Sequence, residues 1–73
     1  MSHADPNISP HQRIRSLAKE HDLTLLELNA ICQVTTGIPL AKLTPDLARI
    51  VLNAMIAKGS LTKQWAQELV RSL

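Results

Sequence analysis

Thr44-Pro-Asp-Leu-Ala-Arg-Ile-Val-Leu-Asn-Ala-Met-Ile-Ala-Lys-Gly-Ser60 decides the fold, because it marks both ends of one helix within a single stretch. Thr44 is a strong N-cap type, and Pro45 suits the first helical position, where its missing N–H has no partner to lose. Asp46 complements the positive end of the helix dipole, and Lys58 the negative end. Gly59 can take the left-handed conformation that ends a helix, and the Gly59-Ser60 pair is placed to launch the next. Between these marks the polar residues Asp46, Arg49 and Asn53 occupy one narrow strip, so the helix over about 45–58 is apolar nearly all round. Such a helix lies at the centre of a bundle or at an oligomer contact.

Working toward the N-terminus, Gly37 and Pro39 stop a preceding helix, and the apolar link 38–43 reads as an ordered turn. That helix, over about 24–35, starts at Thr24-Leu-Leu-Glu27, a capping box with Leu23 placed as a hydrophobic staple. Leu25, Leu28, Ile31 and Cys32 form its expected inward stripe. Further upstream, Ser9-Pro-His-Gln12 is a second capping box. Ile14, Leu17, Ala18 and His21 follow at helical spacing, giving a helix over about 10–21 that ends on His21 as a cap near the negative dipole end. Residues 1–8 hold Asp5-Pro6-Asn7 and no periodic pattern, and read as a disordered tail or an expression leader.

Toward the C-terminus, Leu61, Trp65, Ala66, Leu69, Val70 and Leu73 share one helical face over about 61–72, opposite Lys63, Gln64, Gln67, Glu68 and Arg71. No alternating run rich in β-branched residues competes for strand. The expected architecture is therefore all-α: a compact bundle of four short helices, forming a single helical domain over residues 9–73. That last helix runs to the final residue without a stop signal, as it would in a piece excised from a longer protein.

At 73 residues the chain is near the lower limit for folding without disulfides or metal, so oligomerisation would help it. Apolar residues make up 45% of the sequence, with Trp65 the sole aromatic, so the core must be aliphatic. One aromatic also argues against binding single strands by base stacking. The formal charge of +2 and pI near 9.1 describe a mildly basic surface that permits nucleic acid without requiring it. A lone Cys32 allows no internal disulfide and implies a reducing compartment. The polar N-terminal residues lack the apolar stretch of a secretory signal, and no run reaches membrane-spanning length. A soluble cytoplasmic protein is the expectation, with no membrane partner.

Chemistry is hard to assemble from these residues. His3, His11, His21 and Cys32 lack the close pairing of zinc ligands, although His3 behind a free amine would suit copper or nickel if Met1 were retained. Neither metal nor any other cofactor is expected. Cys32 sits on an expected inner face, unlike the exposed electropositive setting of a nucleophile. Glu20, Asp22 and Glu27 offer no defensible acid/base pair, since Glu27 is committed to capping. Gly37 and Gly59 stand at separate helix ends and form no phosphate loop. No catalytic residue is assigned, and the chain is expected not to be an enzyme.

Two contact surfaces remain as candidates. Arg13, Arg15 and Lys19 mark the outer side of the first helix, and with Arg71 or Lys63 from the last they form a candidate phosphate-binding set for DNA. Leu52, Met55, Ile56 and Trp65, on the apolar third helix and the amphipathic fourth, are candidate contacts for a protein partner or for self-association.

The run Leu23-Thr24-x-x-Glu27-Leu28, then Thr36-Gly37, Leu43-Thr44-Pro45, Leu47, Val51 and Met55 resembles a helical module of phage proteins. It is similar to the small Mu-type GemA regulators of phage transcription and to C-terminal helical segments of phage single-strand annealing proteins, over about residues 17–59. A weaker likeness joins Ile14-Arg15-x-Leu17 and Leu23 to Ala30 to repressor-type helix-turn-helix domains, with Val34-Thr35 at the start of the recognition helix. There Gln33 replaces the usual turn glycine, and Gly37 and Pro39 break the segment that would enter the major groove. The resemblance implies a DNA-associated phage-type regulator or recombination accessory. The residues leave a second expectation beside it, a docking or oligomerisation domain using the third and fourth helices.

Overall fold

A computed structural model describes residues 9–73; the expected tail over residues 1–8, with His3, lies outside the described residues. Four α-helices follow in order: α1 (Pro10–Glu20), α2 (Leu25–Thr36), α3 (Pro45–Lys58) and α4 (Thr62–Ser72). Short 3₁₀ turns, Leu40–Lys42 and Gly59–Leu61, precede α3 and α4. There is no strand among the described residues. The Cα radius of gyration, 11.8 Å, is close to the roughly 11 Å of a compact chain this long.

The helix starts obey local chemistry. Both capping boxes form: the Gln12 amide donates to Ser9 Oγ at 3.2 Å and the Glu27 amide to Thr24 Oγ1 at 3.1 Å, each answered by a bond from the cap amide to the third side chain. Thr44 Oγ1 accepts the Leu47 amide at 3.3 Å. Gly37 ends α2 at φ +76°, the left-handed region that glycine enters without steric cost. The end of α1 uses the same backbone device with a different residue. Asp22 sits at φ +56°, its amide bonded to Lys19 O and the Leu23 amide to Ala18 O. These two bonds are the double closure of a Schellman motif, built on an aspartate where glycine is usual.

The junction of α3 and α4 differs from the expectation. Ser60 does not cap α4; Gly59-Ser60-Leu61 is a turn of 3₁₀ helix, and α4 begins one residue later, at Thr62. Thr62 is fully buried, and its hydroxyl faces the Gly59 carbonyl at 2.7 Å and the Met55 carbonyl at 3.1 Å. Its oxygen ties the end of α3 to the start of α4, the task expected of Ser60.

α3 is central, as its apolar girth implies: it packs against α1, α2 and α4, while α4 lies mainly on α2. Ile14, Ile31, Met55, Val51 and Cys32 are the largest apolar side chains with no exposure, joined by Ala48 and Ala66. The α2 stripe requires a correction. Leu25, expected inward, is 73% exposed, and the inward residue of the first turn is Glu27. Glu27 can face inward because Lys63 of α4 meets it there, with Nζ 2.6 Å from Oε1. Leu61 and Leu73, also expected on the packed face of the last helix, flank α4 on either side and are exposed.

Candidate functional site

Among the proposed protein contacts, Met55 is fully buried and Leu52 nearly so; both belong to the core, and neither is available to a partner. α3 turns Ala48, Val51, Leu52 and Met55 toward the other helices and leaves Arg49, Ile50, Asn53 and Ile56 in solvent. Ile56, one residue beyond Met55, is 60% exposed. Trp65 is half-buried against the core, with the Lys58 ammonium 4.9 Å above its ring centroid, a cation–π arrangement that covers part of its face.

The basic set also divides. Arg13, Arg15 and Lys19 are all exposed on α1, but residues two apart on a helix point about 200° apart. Arg13 accordingly borders the crevice between α1 and α3, beside Leu17, Glu20, Leu52 and Ile56, whereas Arg15 faces α2 and the first 3₁₀ turn. Lys19 follows Arg15 by one helical turn on the same side. Arg71 is exposed near the end of α4, a helix that packs mainly on α2, whereas α1 packs mainly on α3. Lys63 is taken out of the phosphate-binding set altogether. Its ammonium donates to Glu27 Oε1 at 2.6 Å and to the Asp22 carbonyl at 2.7 Å. Bonds from Lys63 and from the Thr24 amide hold the Glu27 carboxyl below its ordinary value of 4.5.

The remaining chemistry-bearing side chains have structural partners. Cys32 is buried, and desolvation pushes its thiol up to about 11, where it stays protonated at neutral pH. His11 Nε2 donates to the Leu43 carbonyl at 2.9 Å, fastening the first turn of α1 to the segment before α3. Among the described residues no three His, Cys, Asp or Glu side chains converge as a metal site, and no helix is long and apolar enough to cross a membrane.

A surface that sequence reasoning missed lies on the Arg15 side of α1. Leu25 and Leu26 at the start of α2, with Leu40 and Ala41 of the 3₁₀ turn, form the apolar floor of an open groove of about 530 Å³. Asn29 lines it too: its Oδ1 accepts the Leu40 amide at 2.9 Å and pins the turn to α2. Arg15 closes one side. The only sequence signal was the adjacent Leu25-Leu26 pair at a helix start, since two neighbouring first-turn positions rarely both reach the core.

Comparison with family models, with curated proteins and with solved structures finds no match for this chain.

Proposed function

We propose that this chain is a non-enzymatic helical interaction module whose main contact is with protein. The exposure of Leu25 and Leu26, 73% and 61%, carries this reading. Fully burying a leucine stabilises by about 1.5–3 kcal/mol relative to leaving it in water. Scattered exposed apolar residues are ordinary, but these two adjoin each other and share a groove with Leu40 and Ala41. The non-enzymatic part is supported by the state of the reactive groups, a protonated buried Cys32 and a Glu27 engaged by Lys63.

The second reading is a DNA-associated regulator or recombination accessory of the phage type. It is favoured by Arg13, Arg15 and Lys19, which are exposed and outside any ion pair among the described residues, and by the sequence likeness to GemA-type modules. Titrating labelled duplex and single-stranded DNA at low and high salt separates the two readings. The protein-docking reading expects no micromolar binding at low salt. Micromolar affinity that weakens steeply as salt rises, and is lost in an Arg13→Ala/Arg15→Ala/Lys19→Ala triple variant, replaces it with the DNA reading. Sedimentation over a range of protein concentrations shows whether the protein contacted is a second copy.

A further inference from the structure

We infer that the groove over Leu25 and Leu26 receives an amphipathic helix of a partner protein, one that carries acidic residues beside its apolar ridge; this rests on the protein-docking reading above. The floor sets the first requirement. Leu25, Leu26, Leu40 and Ala41 make the opening mainly apolar, with Asn29 and Arg15 its polar members, so the occupant needs a row of apolar side chains. A helix supplies such a row at positions i, i+3 or i+4, and i+7, the usual way an amphipathic segment enters a groove between helices.

The rim sets the second requirement. Arg15 lines the groove, Lys19 follows one turn along the same side of α1, and the exposed Lys42 adjoins Ala41 in the 3₁₀ turn. No carboxylate lines the groove, and none of the three cations has an ion-pair partner among the described residues. Covering Arg15 with a neutral or basic helix would desolvate a guanidinium with nothing to receive its N–H groups, which is strongly unfavourable. A carboxylate one turn from the apolar ridge answers it with a charge-assisted, bidentate pair. DNA meets only half of these requirements, because phosphates would reach Arg15 while leaving both leucines without an apolar partner.

The floor is also rigid enough to serve. Asn29 Oδ1 holds the Leu40 amide, the Lys42 amide bonds to Pro39 O at 2.9 Å, and Thr36 Oγ1 accepts the Ile38 amide at 3.1 Å, so the turn beside α2 is fixed from both ends. An ordered receptor surface lowers the entropy lost on association.

The test uses the full chain, labelled with ¹⁵N, and three synthetic peptides of about 16 residues, long enough for useful helicity. One has leucines at i, i+3, i+4 and i+7 flanked by glutamates, the second replaces each glutamate by lysine, and the third scrambles the acidic sequence. The expected result is movement of the Leu25, Leu26, Asn29, Leu40 and Ala41 amide signals with the acidic amphipathic peptide, and binding at least about tenfold weaker for the other two. Arg15→Glu should invert the preference toward the lysine peptide, and Leu26→Asp should weaken the acidic one about tenfold. Both positions are exposed, and circular dichroism verifies that each variant keeps its helices; the comparison of the three peptides on the unsubstituted chain needs no variant.

Equal binding of all three peptides, or no movement at the groove, overturns the inference. Peptide-induced shifts confined to Ile56 and Trp65 overturn the groove assignment and leave the docking reading standing. Salt-sensitive duplex binding with no peptide binding removes both.

Discussion

Lys63 Nζ lies 2.6 Å from Glu27 Oε1 across 36 positions of sequence, and the same ammonium reaches the Asp22 carbonyl. One cation thereby joins α4, the first turn of α2 and the corner after α1. Glu27 in turn serves both the pair and the α2 cap. Lys63→Met should cost about 1–2 kcal/mol, less than a fully buried pair because the lysine side chain is one-third exposed. Urea denaturation followed by far-ultraviolet dichroism measures it, and an unchanged midpoint would count the pair as ornamental.

The same carboxylate sets an acid limit. Its folded pKa lies below the ordinary 4.5, so the unfolded chain binds the proton more readily. The stabilisation is therefore complete above the unfolded value and is lost as pH falls through the folded one. Melting temperature should drop between about pH 5 and pH 3, and Glu27→Gln should flatten that limb while lowering stability at neutral pH. Parallel acid slopes for the two proteins would assign the loss to other groups.

Thr62→Val tests the buried hydroxyl between α3 and α4. The substitution keeps the shape and removes the hydroxyl, while the Met55 and Gly59 carbonyls keep the backbone amides of Gly59 and Thr62 as donors. A loss of about 1 kcal/mol is expected from the hydroxyl's own hydrogen bond, since the acceptors stay paired. Ser60→Ala, by contrast, should change the unfolding free energy by less than about 0.5 kcal/mol, because Ser60 is exposed and does not cap α4.

Asp22→Gly should stabilise. The aspartate is the one non-glycine residue at positive φ among the described residues, and it stands beside the negative end of the α1 dipole. Glycine relieves both, for a gain of about 1 kcal/mol, and keeps the backbone carbonyl that Lys63 uses. Differential scanning calorimetry of the variant would show a higher melting temperature; a lower one would mean that the aspartate side chain contributes something the glycine cannot.

Met55→Ala and Ile56→Ala form a matched pair on neighbouring residues. Met55 is in the core, and truncation there should cost about 2–5 kcal/mol, enough to unfold a chain this small. Ile56 is mostly in water, and its truncation should cost below about 1 kcal/mol. Similar losses at both positions would mean that α3 turns a different face to the core.

The elements readable in the sequence are those whose signals are local. Ser9 with Gln12, Thr24 with Glu27, Thr44 with Pro45, and Gly37 each act within four residues, so helix starts and stops follow from the string itself. Long-range partners left no such trace. Nothing near Lys63 announces Glu27, and nothing near His11 announces Leu43. Without that ion pair, Leu25 looks like the inward residue of the α2 first turn, and the groove it helps to form disappears from view. On α3 the difficulty is the reverse, since an apolar residue at nearly every position hides the difference between Met55 and Ile56. The α1 cations were visible as residues and helical spacing alone sets Arg13 apart from Arg15, but only the packing shows which crevice each one borders.

Cys32 gives the molecule an internal clock. Its sulfur sits at the middle of the bundle with no solvent exposure, so an alkylating reagent at neutral pH can reach it only during excursions that dismantle the surrounding helices. The rate of labelling therefore counts those excursions directly. Any ligand that truly engages the folded chain should slow the count, whatever surface it occupies.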